Sequence, residues 1–97
     1  MEDRVVDLST VADKRTLRRA ILKRVPGAFC VTLTPFLDAW GVGVCCAVPG
    51  MHEGLGIATK APLGITYSEL LNIIDEVAER AKKAIANPTS FNMGLYA

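Results

Sequence analysis

Between Val25 and Thr59 the chain carries only two charged side chains, Asp38 and Glu53, while nearly all its other charges sit in the segments on either side. A stretch of that length so poor in charge is not expected to form a fully solvated surface. It has to be the buried layer of a domain, wrapped by charged helices. At 97 residues the chain has room for one domain. A chain of this size buries on the order of 64% of its unfolded surface, and here half the residues are hydrophobic (51%). A surface that small does not easily conceal such a load, which points to self-association or to docking on a larger assembly.

Two segments of the run alternate with period two. Phe29, Val31 and Leu33 fall on one face of the first, with Ala28, Cys30, Thr32 and Thr34 on the other. In the second, Val42, Val44, Cys46 and Val48 alternate with Gly41, Gly43, Cys45 and Ala47. Such a pattern predicts two strands, and Pro35 to Trp40 is a connection that a hairpin accepts. Setting Thr34 opposite Gly41 places Leu33 opposite Val42, Val31 opposite Val44, Cys30 opposite Cys45 and Phe29 opposite Cys46. Every large side chain then lies on one face and every small one on the other. A wet sheet face normally carries charge, and this hairpin has none there, so a second layer, from the same chain or a twin, is expected against it. Leu55 to Thr59 reads as a third short strand.

Helices flank the sheet. Asp13 is the expected cap of a helix over Lys14 to Arg24, stopped by Pro26-Gly27. Its surface is basic: Arg15, Arg18, Arg19 and Lys23 include like-charged pairs four residues apart, each opposing the helix by roughly 0.2–0.5 kcal/mol. Something acidic is expected against it, and Asp75, Glu76 and Glu79 are the candidates. Thr66-Tyr67-Ser68-Glu69 has the form of a capping box, with Ile65 and Leu70 placed as a hydrophobic staple. The helix that follows reaches about Ile85, with an apolar arc from Tyr67 through Leu70, Ile74, Val77 and Ala81. The whole is therefore an α+β domain, a small antiparallel sheet packed by a basic N-terminal helix and a long amphipathic C-terminal helix. Residues 1–12 read as a lead-in arm, 13–88 as the folded core and 89–97 as a tail. The stretch Leu22 to Ala28 followed by a hairpin resembles the opening helix and hairpin of roadblock-type dimerisation domains. That likeness is topological, and the later strands of such domains have no counterpart here.

Chemistry is harder to find. Cys30, Cys45 and Cys46 with the single histidine, His52, do not have the spacing of a zinc site, and adjacent strand residues point to opposite faces. Cys30 and Cys45 could form a cross-strand disulfide, but free thiols fit a chain without a secretory leader better. Met-Glu-Asp-Arg opens the chain with charge and no apolar run follows, so a cytoplasmic setting is expected. A membrane span over Ala28–Gly50 is disfavoured by Pro35 and Asp38 in its middle. His52 beside Glu53 reads as a solvated loop pair, and the glycine pairs lack the remainder of a nucleotide fingerprint. No catalytic residue, metal or cofactor is assigned.

What remains is contact. The expected function is a small non-enzymatic interaction module, an accessory, adaptor, inhibitor or assembly subunit of a size common among viral and phage accessory factors. It would act as a homodimer or by docking on another protein. Interface candidates are Cys30, Thr32, Gly43 and Cys45 on the small-residue face, Trp40 at the hairpin tip, and Phe91, Met93, Leu95 and Tyr96 in the tail. Net charge is only +1, but residues 1–27 hold seven basic and four acidic side chains. The alternative is thus a nucleic-acid-binding protein using Arg15, Arg18, Arg19 and Lys23 against a phosphate backbone.

Overall fold

Thr66 and Glu69 close a reciprocal cap in the computed structural model of the chain, which describes residues 3–50, 52 and 54–86. The Glu69 amide donates to the Thr66 hydroxyl and the Thr66 amide to the Glu69 carboxylate, both at 3.3 Å. The helix so started runs over Tyr67–Ala86, which we label α2. Leu70, Ile74, Val77, Ala78, Ala81 and Ala84 recur on one side of it and are buried, the stripe expected of a helix lying on a core.

The basic helix, α1, spans Val11–Arg24 and begins three residues earlier than its sequence suggests. Thr10 is the cap, accepting from the Asp13 amide at 3.2 Å. Both residues are of capping type, and the difference lies in what surrounds Asp13. Its carboxylate turns back to accept from the Asp7 amide at 2.7 Å and meets the Arg4 guanidinium at 2.8 Å. These contacts tie down the opening residues, which are not a free arm. The Tyr67 amide donates to the Arg4 carbonyl at 2.9 Å and the Val6 amide to the Ile65 carbonyl at 2.8 Å. Val6 and Leu8 are buried. A strap this short has no period to read, but two alternating apolar residues suffice to anchor it.

Three antiparallel strands form the sheet in the order β1-β2-β3: β1 Ala28–Pro35, β2 Ala39–Cys46 and β3 Leu55–Pro62. The β1–β2 register is the expected one from Thr34↔Gly41 to Cys30↔Cys45. Beyond that point it slips: Ala28, not Phe29, opposes Cys46. Phe29 is the extra residue of a bulge, and it leaves the core to stand 58% exposed. Gly27 makes the entry to β1 with φ +75°, and a Cβ there would lie 2.6 Å from the Ala47 carbonyl oxygen. β3 continues past Thr59 because Lys60 and Pro62 are tolerated on a sheet edge.

The result is an α+β domain of two layers. α1 packs on β1 and α2 on β3, and both helices cover the large-residue face. Leu17 and Ile21 of α1 meet Val42, Val44, Leu55, Ile57 and the α2 stripe in a single core. Among the described residues no helix is long and apolar enough to cross a membrane.

Candidate protein-docking face

The other side of the sheet is built from three rows. Cys30, Cys45 and Gly56 lie abreast, then Thr32, Gly43 and Ala58, then Thr34, Gly41 and Lys60. Period-two alternation puts them there together, because the large residues between them, Val31, Leu33, Val42, Val44 and Ile57, face the core. Four of the interface residues expected from sequence, Cys30, Thr32, Gly43 and Cys45, are thereby brought onto one surface. Thr32, Thr34, Gly56, Ala58 and Lys60 are exposed. The second layer expected against this face is not supplied by the described part of the chain.

Glycines line the middle of the face. The Thr32 hydroxyl fills the space above Gly43, 2.5 Å from where a Cβ would stand, and the Phe36 ring does the same above Gly41 at 2.6 Å. Phe36 turns back from the hairpin tip, and the Lys60 ammonium sits 5.1 Å from its ring centroid, within cation–π range. Phe29, beside Gly54, marks the opposite end. Between Phe36 and the strands runs an open trough of about 440 Å³, floored by Gly41 and Gly43 and walled by Thr32, Thr34, Ala58 and Lys60. Sequence reasoning missed Phe29, Phe36 and Lys60 here. A bulge leaves no mark on an alternating pattern, and Phe36 lies in a turn where no alternation applies.

All three cysteines are free thiols. Burial, followed by the neighbouring Cys30, raises the Cys45 pKa, and burial with Cys45 beside it raises that of Cys46. Thiols held protonated in this way are poor nucleophiles at neutral pH. Among the described residues no group of three or more His, Cys, Asp or Glu side chains is placed to hold a metal. His52 is exposed, and Glu53 lies outside the described residues.

Trp40 belongs to the opposite side. It is partly buried, packs against the core and borders a crevice with Val5, Leu8 and Ile65, so it closes the end of the core rather than marking the small-residue face. Phe91, Met93, Leu95 and Tyr96 lie outside the described residues. On α1, Arg15, Arg18, Arg19 and Lys23 are all exposed. The acidic surface expected against them reduces to one contact, and with a different residue: Arg24 pairs with Asp75 at 2.9 Å. Glu79 is turned to Lys82 at 3.2 Å.

Comparison of the chain with family models, with curated proteins and with solved structures finds no match.

Proposed function

We propose that the protein is a non-enzymatic assembly module whose small-residue sheet face packs against the same face of a second copy. The observation that carries this reading is the composition of that face: nine residues in three rows, all Cys, Thr, Gly or Ala except Lys60. Such a surface gains little from water and permits close approach of another backbone layer. Its one charge, Lys60, lies at a corner, and the other eight residues are uncharged, so a twin offers a matching surface of small neutral residues as long as the two Lys60 side chains are kept apart. A twofold axis through Gly43, along or across the strands, sets Lys60 over Thr34 or Gly56 of the other copy and never over its own equivalent. Phe29 and Phe36 would stand as posts at the two ends.

Strands of eight residues and three abreast give a face about 26 Å by 14 Å. Two such faces together cover about 730 Å², below the range of stable specific interfaces, so the dimer should be weak and depend on concentration. A reducing, cytoplasmic setting suits the three free thiols. The test is solution mass by light scattering over a tenfold concentration range, with Ala58→Arg as the disruptive variant. The reading expects a dimer that Ala58→Arg converts to monomer with unchanged circular dichroism. A wild-type chain that stays monomeric throughout, or a dimer indifferent to Ala58→Arg, rejects it.

A second reading has its own support. Arg15, Arg18, Arg19 and Lys23 have no carboxylate at ion-pairing distance among the described residues, as a phosphate-binding helix requires. Retention of DNA or RNA in low salt, abolished by replacing Arg15, Arg18 and Arg19 with Glu, supports it. Absence of any retention by the wild-type chain removes it.

A further inference from the structure

The two edges of the sheet are not alike. The Leu63 amide donates to the Asp38 carbonyl at 3.2 Å, and antiparallel ladder bonds alternate from there through the register. Gly56, Ala58 and Lys60 are then the residues of β3 whose backbone groups face away from β2. That edge is guarded: Arg80 donates to the Ala58 carbonyl at 3.0 Å, Lys60 adds a cation, and Pro62 has no amide to offer. Charge, proline and a covering side chain are the usual means of blocking strand addition.

On β1 the same count starts from the Phe36 amide, which donates to the Ala39 carbonyl at 2.9 Å. Thr34, Thr32 and Cys30 bond to β2, and the N–H and C=O groups of Val31 and Leu33 point outward. No hydrogen bond from a loop, cap or side chain reaches them among the described residues. The bulge at Phe29 and Pro35 bound this window, and nothing charged lies within it. The side chains of Val31 and Leu33 face the core and are only partly buried.

α1 lies above this edge. It turns Thr16, Ala20 and Lys23 toward Tyr67 and Leu71 of α2. At about 100° per residue, Lys14, Arg18 and Leu22 fall on the side away from α2, over the open edge of β1. All three are exposed, and neither cation has a carboxylate at ion-pairing distance among the described residues.

We infer that the open edge of β1, together with this flank of α1, binds an extended acidic peptide segment of another protein as a fourth strand. Two of its residues, i and i+2, each exchange a pair of backbone hydrogen bonds with Val31 and Leu33. Their side chains take the same face as Val31 and Leu33, which requires them to be apolar and fills the half-open seam below Leu22. Acidic residues on either side answer Lys14 and Arg18. A second copy satisfies the backbone but not the charge: a twofold through Thr32 pairs Val31 with Leu33 of the twin and sets two basic α1 flanks side by side with no acid between them. Residues 87–97 of the chain itself contain no acid. The surface is separate from the small-residue face, so the inference stands independently of the dimer.

The test titrates the full-length, ¹⁵N-labelled chain with the capped peptide Glu-Asp-Val-Thr-Val-Glu-Glu up to millimolar concentration. The expected result is movement of the Val31 and Leu33 amide signals and their protection from hydrogen exchange. Binding should weaken at least tenfold with Arg18→Glu, and equally when either peptide valine is N-methylated. A peptide with lysines in place of its acids should bind Arg18→Glu better than it binds the wild type. The inference is overturned by no movement up to millimolar peptide, by shifts centred on Gly43 and Ala58, or by binding indifferent to N-methylation. Protection of both amides in the free chain also overturns it, because the edge is then filled by the chain or its twin. So does a single-stranded oligonucleotide of equal length that binds more tightly, with shifts at Arg15, Arg19 and Lys23.

Discussion

The Arg80 guanidinium reaches from α2 to the Ala58 carbonyl on the outer edge of β3, 3.0 Å away. One side chain thereby satisfies an edge acceptor and places a cation where another strand would dock. Arg80→Ala should cost only about 1 kcal/mol in urea melts, since the contact is exposed. Its larger effect should be species heavier than a dimer that grow with concentration in light scattering, absent in the wild type and in Arg80→Lys, which keeps the charge.

Gly27→Ala should be far more damaging than its size suggests. The residue has φ +75°, and the added methyl would meet the Ala47 carbonyl at 2.6 Å. Backbone strain of this kind costs about 1–3 kcal/mol. Thermal unfolding should show a loss in that range, whereas Gly56→Ala, with no atom within 4 Å of the new Cβ, should change stability by under about 1 kcal/mol.

Acid should weaken the fold partly through Asp13. The Asp7 amide, opposed by burial and aided by Arg4, holds its carboxyl below the ordinary carboxylate value. A depressed folded pKa means that the ionised form stabilises the fold. The contribution is complete above the unfolded value of about 3.9 and fades as pH falls through the lower folded one. Asp13→Asn should cost about 1–2 kcal/mol at neutral pH and flatten the stability profile below about pH 4.

Alkylation should distinguish the thiols. Cys46 is fully buried while Cys30 and Cys45 are partly open. Iodoacetamide at neutral pH should modify Cys30 and Cys45 slowly in the native chain and reach Cys46 only on unfolding. Mass spectrometry of a time course reads this directly, and early modification of Cys46 would contradict the packing.

α2 is readable because its cap and its stripe agree: Thr66 and Glu69 announce the start, and Leu70, Ile74, Val77 and Ala81 keep the period. The hairpin register follows from alternation as far as Cys30. It fails at Phe29, where one extra residue reverses the side-chain direction without altering composition. The start of α1 is hidden because Thr10 and Asp13 are both capping types, and what decides between them is the Asp7 amide and Arg4, which claim the Asp13 carboxylate. Of the candidate surface, the small residues are visible in the pattern. The guarding of one edge by Arg80, and the exposure of Val31 and Leu33 on the other, depend on which strand ends up outermost.

The strap of residues 3–8 has a kinetic consequence. Each strand pairs with its neighbour in sequence, so most of the fold closes short loops and should assemble quickly. The strap must find partners some 60 residues away, as where Val5 bridges Thr66 and the Ser68 amide donates to Asp3. Such contacts are expected to form after the rate-limiting step. Substitutions in the strap, Val6→Ala among them, should then hasten unfolding and leave the folding rate nearly unchanged.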